Sequence, residues 1–155
     1  MRKSIGFTAA LVIVLFQVSA CSKRVQLTAE SNRTEKGGIV ASANWLKDKG
    51  SKYDIQFSIT NNFERDVIIN LHDISCSKGS VPGTIKHTFF NTGERRIDLK
   101  NGESKNFNFV CRLSSKTDGP YKVTIRRVYD NPTGDGIKTE KVLVENIVWQ
   151  QGAAE

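Results

Sequence analysis

Apolar side chains recur at every second residue along most of this chain, and that period decides what it can fold into. Phe107, Phe109, Cys111 and Leu113 give the clearest run. Tyr53, Ile55, Phe57 and Ile59 repeat it with Gln56 and Ser58 between them, and Tyr121, Val123 and Ile125 repeat it with charged residues on the other face. Ile39, Ala41, Ala43 and Trp45 make a fourth set. Successive side chains on a strand point to opposite faces, so each run predicts a half-buried strand with these residues inward. No window carries helical periodicity. Residues 67–76 are rich in β-branched side chains, but their inward phase passes from Val67, Ile69 and Leu71 to Ile74 and Cys76. That shift predicts a bulge or bend near His72-Asp73. Short strands are expected at 85–90 and 95–99. A last one is expected at 139–149, where Val142 and Val144 give way to Ile147 and Trp149 in opposite phase, again predicting a bulge.

Turn-forming clusters separate these runs: Asn61-Asn62, Pro82-Gly83, Asn91-Thr92-Gly93, Asn101-Gly102, Asp118-Gly119-Pro120 and Asn131-Pro132-Thr133-Gly134. Seven or eight short strands punctuated in this way predict an all-β fold, an antiparallel β-sandwich over residues 37–150.

The first twenty residues follow different rules. Arg2 and Lys3 precede an apolar run over residues 5–16, and the small residues Ser19 and Ala20 follow. This is the layout of an export signal. The run is shorter than the roughly 20 residues that span a bilayer as a permanent helix. It also lacks the polar face that a buried core helix would show. Residues 21–36 are mostly polar, with Val25 and Leu27 as aliphatics, and read as a flexible tether spanning roughly 20 Å. Residues 151–155 read as a frayed tail.

Val18-Ser19-Ala20-Cys21 resembles the lipobox of bacterial lipoproteins. The resemblance implies a diacylglycerol thioether on Cys21, cleavage before it, further acyl chains such as palmitate, and attachment to a membrane. The same three small or aliphatic residues also suit an ordinary signal peptidase. In the lipoproteins this resembles, an aspartate after the cysteine favours inner-membrane retention. Ser22 therefore implies an outer-membrane lipoprotein facing the periplasm, or the outer face of the plasma membrane in a single-membrane cell. Residues 53–62, the Leu99-Lys100-Asn101-Gly102-Glu103-Ser104 turn and the Gly119-Pro120-Tyr121 strand start resemble segments of bacterial immunoglobulin-like extracytoplasmic domains. Trp45 precedes both remaining cysteines, so the Cys–Trp–Cys order of antibody domains is not present.

Acylation of Cys21 would leave Cys76 and Cys111 as an even pair in an oxidising compartment, where disulfides persist. Both are in phase with apolar neighbours, which predicts a buried structural disulfide. Such a bridge would contribute about 4 kcal/mol in the chain-entropy picture. A redox-active pair would more often be a close Cys-x-x-Cys, and a metal site would want a histidine near Cys111.

The whole chain carries a net charge of +7, with 23 basic and 16 acidic residues. The export signal holds two of the basic residues and no acid, so the remainder keeps +5. That balance suits anionic envelope material, whether a polymer or a protein, as well as simple solubility. No nucleic-acid motif accompanies it. The adjacent pairs Arg95-Arg96 and Arg126-Arg127 are the candidate contacts with an acidic partner.

His72 and His87 are the two histidines, too few for a metal site without a third ligand. The Asp130-Asn131-Pro132-Thr133-Gly134-Asp135-Gly136 segment has oxygen ligands but not the spacing of a calcium loop, and it reads as a turn. No serine or cysteine sits in a nucleophile motif. The expectation is a non-enzymatic binding or assembly-support module without metal or cofactor. A second reading is a small-ligand or hydrolase-inhibitor module that uses residues 77–84 as a flexible, exposed loop.

Overall fold

The computed structural model describes residues 22–27, 32–87, 96–132 and 141–151. Among these residues, eleven strands run in chain order: β1 (Lys23–Val25), β2 (Arg33–Lys36), β3 (Ile39–Asp48), β4 (Lys52–Asn61), β5 (Val67–Asn70), β6 (Ile74–Lys78), β7 (Val81–His87), β8 (Arg96–Leu99), β9 (Ser104–Leu113), β10 (Tyr121–Asp130) and β11 (Val142–Gln150). Every pairing between them is antiparallel. The hydrogen-bonded order is β1-β3-β4-β9-β7-β6-β10-β5-β8, with β2 also on β3 and β11 on the free side of β10.

This continuous sheet folds over on itself into two layers. Phe57 of β4 meets Trp149 of β11 edge-on at 5.9 Å, and Tyr53 of β4 meets Tyr121 of β10 at 5.1 Å. β4 and β10 supply the alternation that fills the space between the layers. Tyr53, Ile55, Phe57 and Ile59 are inward on β4, and Tyr121, Val123 and Ile125 are inward on β10. The all-β antiparallel expectation is borne out.

The fold-over happens at β7. β6 and β9 lie on either side of it, and Gly83 pairs with Cys76 on one side and Leu113 on the other. Strands separated by a third are normally about 9.5 Å apart, twice the usual spacing. Here Cys76 and Cys111 have Cα atoms 6.2 Å apart and are joined by the disulfide that the cysteine count implied. The bridge passes directly over Gly83. A Cβ at that position would sit 3.0 Å from Cys76 Sγ, nearer still to Cys111 Sγ, and 3.1 Å from the Arg112 carbonyl oxygen. Glycine is required there because two strands close over its missing side chain.

Both expected phase shifts are present, each with its own cause. Between β5 and β6 the chain makes a 3-10 turn at Leu71–Asp73, which turns Asp73 inward. On β10, Arg126 and Arg127 both point outward between buried Ile125 and Val128. On β11, Glu145 and Asn146 do the same between buried Val144 and Ile147. The two strands kink side by side, and Asn146 takes a left-handed conformation (φ 54°) that Asn tolerates better than most residues.

Several expectations need correction. The described residues hold eleven strands, not seven or eight, and Pro82-Gly83 is not a turn but lies inside β7, opposite Ser77 and Cys76. The segment expected to be a tether contains β1 and β2, both paired with β3. Their exposed polar residues suit edge strands, while Val25 and Leu27 pack against the core. Residues 77–84 are not a flexible loop but the end of β6, a turn and the start of β7. The Gly79 N–H donates to the Pro120 carbonyl at 2.8 Å, seating that turn on the neighbouring loop. Trp45 is not inward. The pairing of β3 with β4 slips between Ala43 and Trp45, so Leu46 is fully buried and Trp45 is turned to the outer face.

Replacing both Cys76 and Cys111 with Ser should lower the unfolding free energy by about 4 kcal/mol, read by urea denaturation. In the oxidised protein, Gly83→Ala should cost about 1–3 kcal/mol through overpacking. In the double-serine background that cost should shrink, because the sulfur bridge is what the methyl meets. Equal costs in both backgrounds would show that the corner does not depend on the bridge.

Candidate functional site

Register creates a basic face that reading along the chain does not display. Arg24 of β1 lies directly opposite Lys47 of β3, and Lys52 of β4 lies directly opposite Arg112 of β9. Both pairs are at the same end of the layer. Like charges facing one another on adjacent strands are destabilising, so neither pair helps the fold. Asp54 faces Lys47 from β4, but its carboxylate is ion-paired with Lys49. Lys116, in the loop after β9, is exposed at the same end. The opposite end, at the turns joining β4 to β5 and β8 to β9, mixes Glu64, Asp66 and Glu103 with Arg65 and Lys100. Charge is therefore uneven along the sandwich, basic where β1 begins and nearly balanced at the far turns.

Trp45 stands within the basic face. Ser22, Arg24, Trp45 and Lys47 line an open groove of about 450 Å³. A second, smaller recess of about 360 Å³ is lined by Ser51, Lys52, Arg112 and Leu113. The bulge that turns Trp45 outward thus sets a half-buried indole beside two cations.

The residues singled out from sequence lie elsewhere. Arg126 and Arg127 converge on the fully buried carboxylate of Asp73, at 3.9 and 3.5 Å, and the Tyr129 hydroxyl donates to it at 3.1 Å. Arg126 also donates to the His72 carbonyl. About half of each guanidinium side chain remains exposed. Arg96 pairs with Asp98 at 3.2 Å, whereas Arg95 lies outside the described residues. His72 is exposed beside Asp73, and His87 ends β7 opposite Phe109 of β9. Asp130 pairs with Arg65, while 133–136 and Cys21 lie outside the described residues. Among the described residues, no three His, Cys, Asp or Glu side chains converge as metal ligands.

A second polar group is a clasp between the layers, close to the basic end. Asp48, at the end of β3, accepts from Lys78 Nζ at 2.8 Å, from the Tyr121 hydroxyl at 2.5 Å and from the Gly50 N–H at 2.7 Å. Lys78 Nζ also lies 4.8 Å from the centre of the Tyr121 ring. Burial alone would raise the Asp48 pKa. The hydrogen bonds from Lys78, Tyr121 and Gly50, with the Lys78 charge, outweigh it and hold the carboxyl below its ordinary value. Tyr121 is pushed up, by burial first and then by Asp48. Tyr53, raised mainly by its burial, donates to the carbonyls of Ser77 and Lys122, each at 3.1 Å. Every member is satisfied by another, so this group ties β3 and β4 to β6 and β10.

No protein-family model matches the chain, and no curated protein matches it in sequence. Among solved structures it is similar to a candidate lipoprotein, ycdA, of Bacillus subtilis subsp. subtilis strain 168. The likeness has a TM-score of 0.52 at 7% identity, over 79% of this chain and 38% of that one. At that identity the likeness is one of fold. The chain spans well under half of that protein's length.

The sign of the Asp48 shift fixes the response to acid. A depressed folded-state pKa gives stability that is fully present above the ordinary carboxylate value of 3.8 and is lost as pH falls through the lower folded value. Thermal melts should therefore show midpoints falling below about pH 4. Asp48→Asn should cost about 3 kcal/mol at neutral pH, since it strands the Lys78 cation, and should flatten that acid limb. An unchanged acid limb would contradict the assignment.

Proposed function

We propose that this chain is exported by residues 1–20, cut before Cys21 and acylated on it. Its immunoglobulin-like sandwich then acts as a non-enzymatic binding or assembly-support module on an envelope membrane, the outer membrane facing the periplasm where the cell has one. The carrying observation is the disulfide. Cys76 and Cys111 consume one another inside the core, so of three cysteines only Cys21 remains for a lipid. β1 starts at Lys23, two residues after Cys21. The fold likeness to a candidate lipoprotein favours the same reading.

A macromolecular partner would meet the outward face of β10 and β11. There the half-exposed Arg126 and Arg127 stand near Val148, the large apolar side chain that is 42% exposed. Two guanidiniums around a single buried carboxylate leave positive charge for an acidic group to meet. The hydrolase-inhibitor reading loses its motive, because residues 77–84 form a seated hairpin.

Cells fed labelled palmitate should incorporate it into the wild-type chain and not into Cys21→Ala. The variant should still be exported, and after a high-salt wash it should leave the membrane fraction while the wild type stays. Palmitate on the Cys21→Ala protein, or a salt-resistant membrane association of it, would overturn the anchor.

A further inference from the structure

We propose that the basic end of the sandwich is a membrane-docking surface, and that its ligand is the anionic phospholipid headgroup layer beneath the anchor. The proposal rests on Cys21 as the point of attachment. A flexible tether would let the domain tumble at a distance, but β1 removes that freedom. Only Ser22 separates Cys21 from Lys23, which is already paired with Asp48 of β3. Two residues of chain reach about 7 Å. An acyl group on Cys21 therefore holds the Lys23–Asp48 end of the sheet at the bilayer surface. Charge there lies within the Debye length of about 8 Å over which an anionic surface is felt.

The residues at that end fit such a surface. Arg24, Lys47, Lys52 and Arg112 form two like-charge cross-strand pairs that oppose folding, and none is ion-paired among the described residues. Phosphodiester oxygens would relieve both repulsions, since guanidinium and ammonium groups both donate to them. Trp45 lies in the same groove as Arg24 and Lys47, and an indole with one apolar and one polar edge favours the headgroup level. The far turns, where Glu64, Asp66 and Glu103 are offset by Arg65 and Lys100, present no comparable basic patch, so the surface would meet the basic end. Anchoring by lipid is strengthened by an adjacent basic patch, and here the fold supplies one.

The test uses purified, acyl-free Cys21→Ala protein, so its outcome does not depend on acylation. It should co-sediment with vesicles of equal parts phosphatidylcholine and phosphatidylglycerol, and not with phosphatidylcholine alone, and salt should release it. Arg24→Glu with Lys52→Glu turns both like-charge pairs into opposite-charge pairs. This variant should melt no lower than its parent, yet bind at least roughly tenfold more weakly. Lys47→Gln with Arg112→Gln, which only neutralises charge, should weaken binding in the same direction if the first variant does not fold. Trp45 emission should shift to the blue on binding, with Trp45→Phe as the control against buried Trp149. Three results would overturn the proposal: no preference for phosphatidylglycerol, binding undiminished in folded charge variants, or equal affinity for a soluble acidic polymer. Loss of palmitate labelling without loss of vesicle binding would leave the docking surface standing and remove only the anchor.

Discussion

Everything in this molecule turns on the crossing of the disulfide over Gly83. A sheet of this many strands cannot bury its apolar face while it stays open, and it must fold back on itself to make a core. The fold-back needs two strands that are not neighbours to approach more closely than sheet geometry allows. Cys76 and Cys111 do so at 6.2 Å across β7, and the strand between them carries glycine where the sulfurs pass. With that corner closed, β4 faces β10 and β11, and Phe57 can reach Trp149. The Asp48–Lys78–Tyr121 clasp then fixes how the layers sit near the same end, through hydrogen bonds that only the folded-over sheet can make.

The core was legible because it obeys a local rule. The alternation on β4, β9 and β10 needs no knowledge of partners, and the inward residues read from it are those found inside, Phe107 being the one that is only partly buried. The two phase shifts were visible for the same reason, although their forms (a 3-10 turn, and a kink shared by two strands) depend on neighbours. The edge strands were not legible. Lys23–Val25 and Arg33–Lys36 are strands because β3 offers them hydrogen bonds, and an edge strand with one wet face keeps the composition of a linker. Trp45 was misplaced because one residue of slip reverses every later side chain, and nothing in Ala43-Asn44-Trp45 announces a bulge.

The candidate site shows the same division between local and register-dependent information. Adjacent arginines draw the eye along a sequence, yet Arg126 and Arg127 turn out to share a buried acid, Asp73, fifty-odd residues away. Asp73 was discoverable only as an acid stranded in a β-branched segment. Arg24, Lys47, Lys52 and Arg112, none ion-paired among the described residues, are spread over β1, β3, β4 and β9 and become a face only when the register aligns them. Arg24 with Lys47 and Lys52 with Arg112 are then opposite one another, an arrangement that stability alone would not favour.

The position of β1 joins these threads. A domain on a slack tether gains only proximity from its anchor, since tumbling averages away any charge asymmetry it carries. On the proposed anchor at Cys21, pairing of β1 with β3 would shorten the slack to Ser22, so translation and most rotation would be lost once, on folding, rather than at each encounter with the surface. A basic end held in that way acts at a high effective concentration, and modest charge suffices to orient it. On that proposal, the outward face of β10 and β11 would be presented with a fixed bearing to a partner. The weak pairing of three polar residues at an edge would thus give direction to the rest of the sandwich.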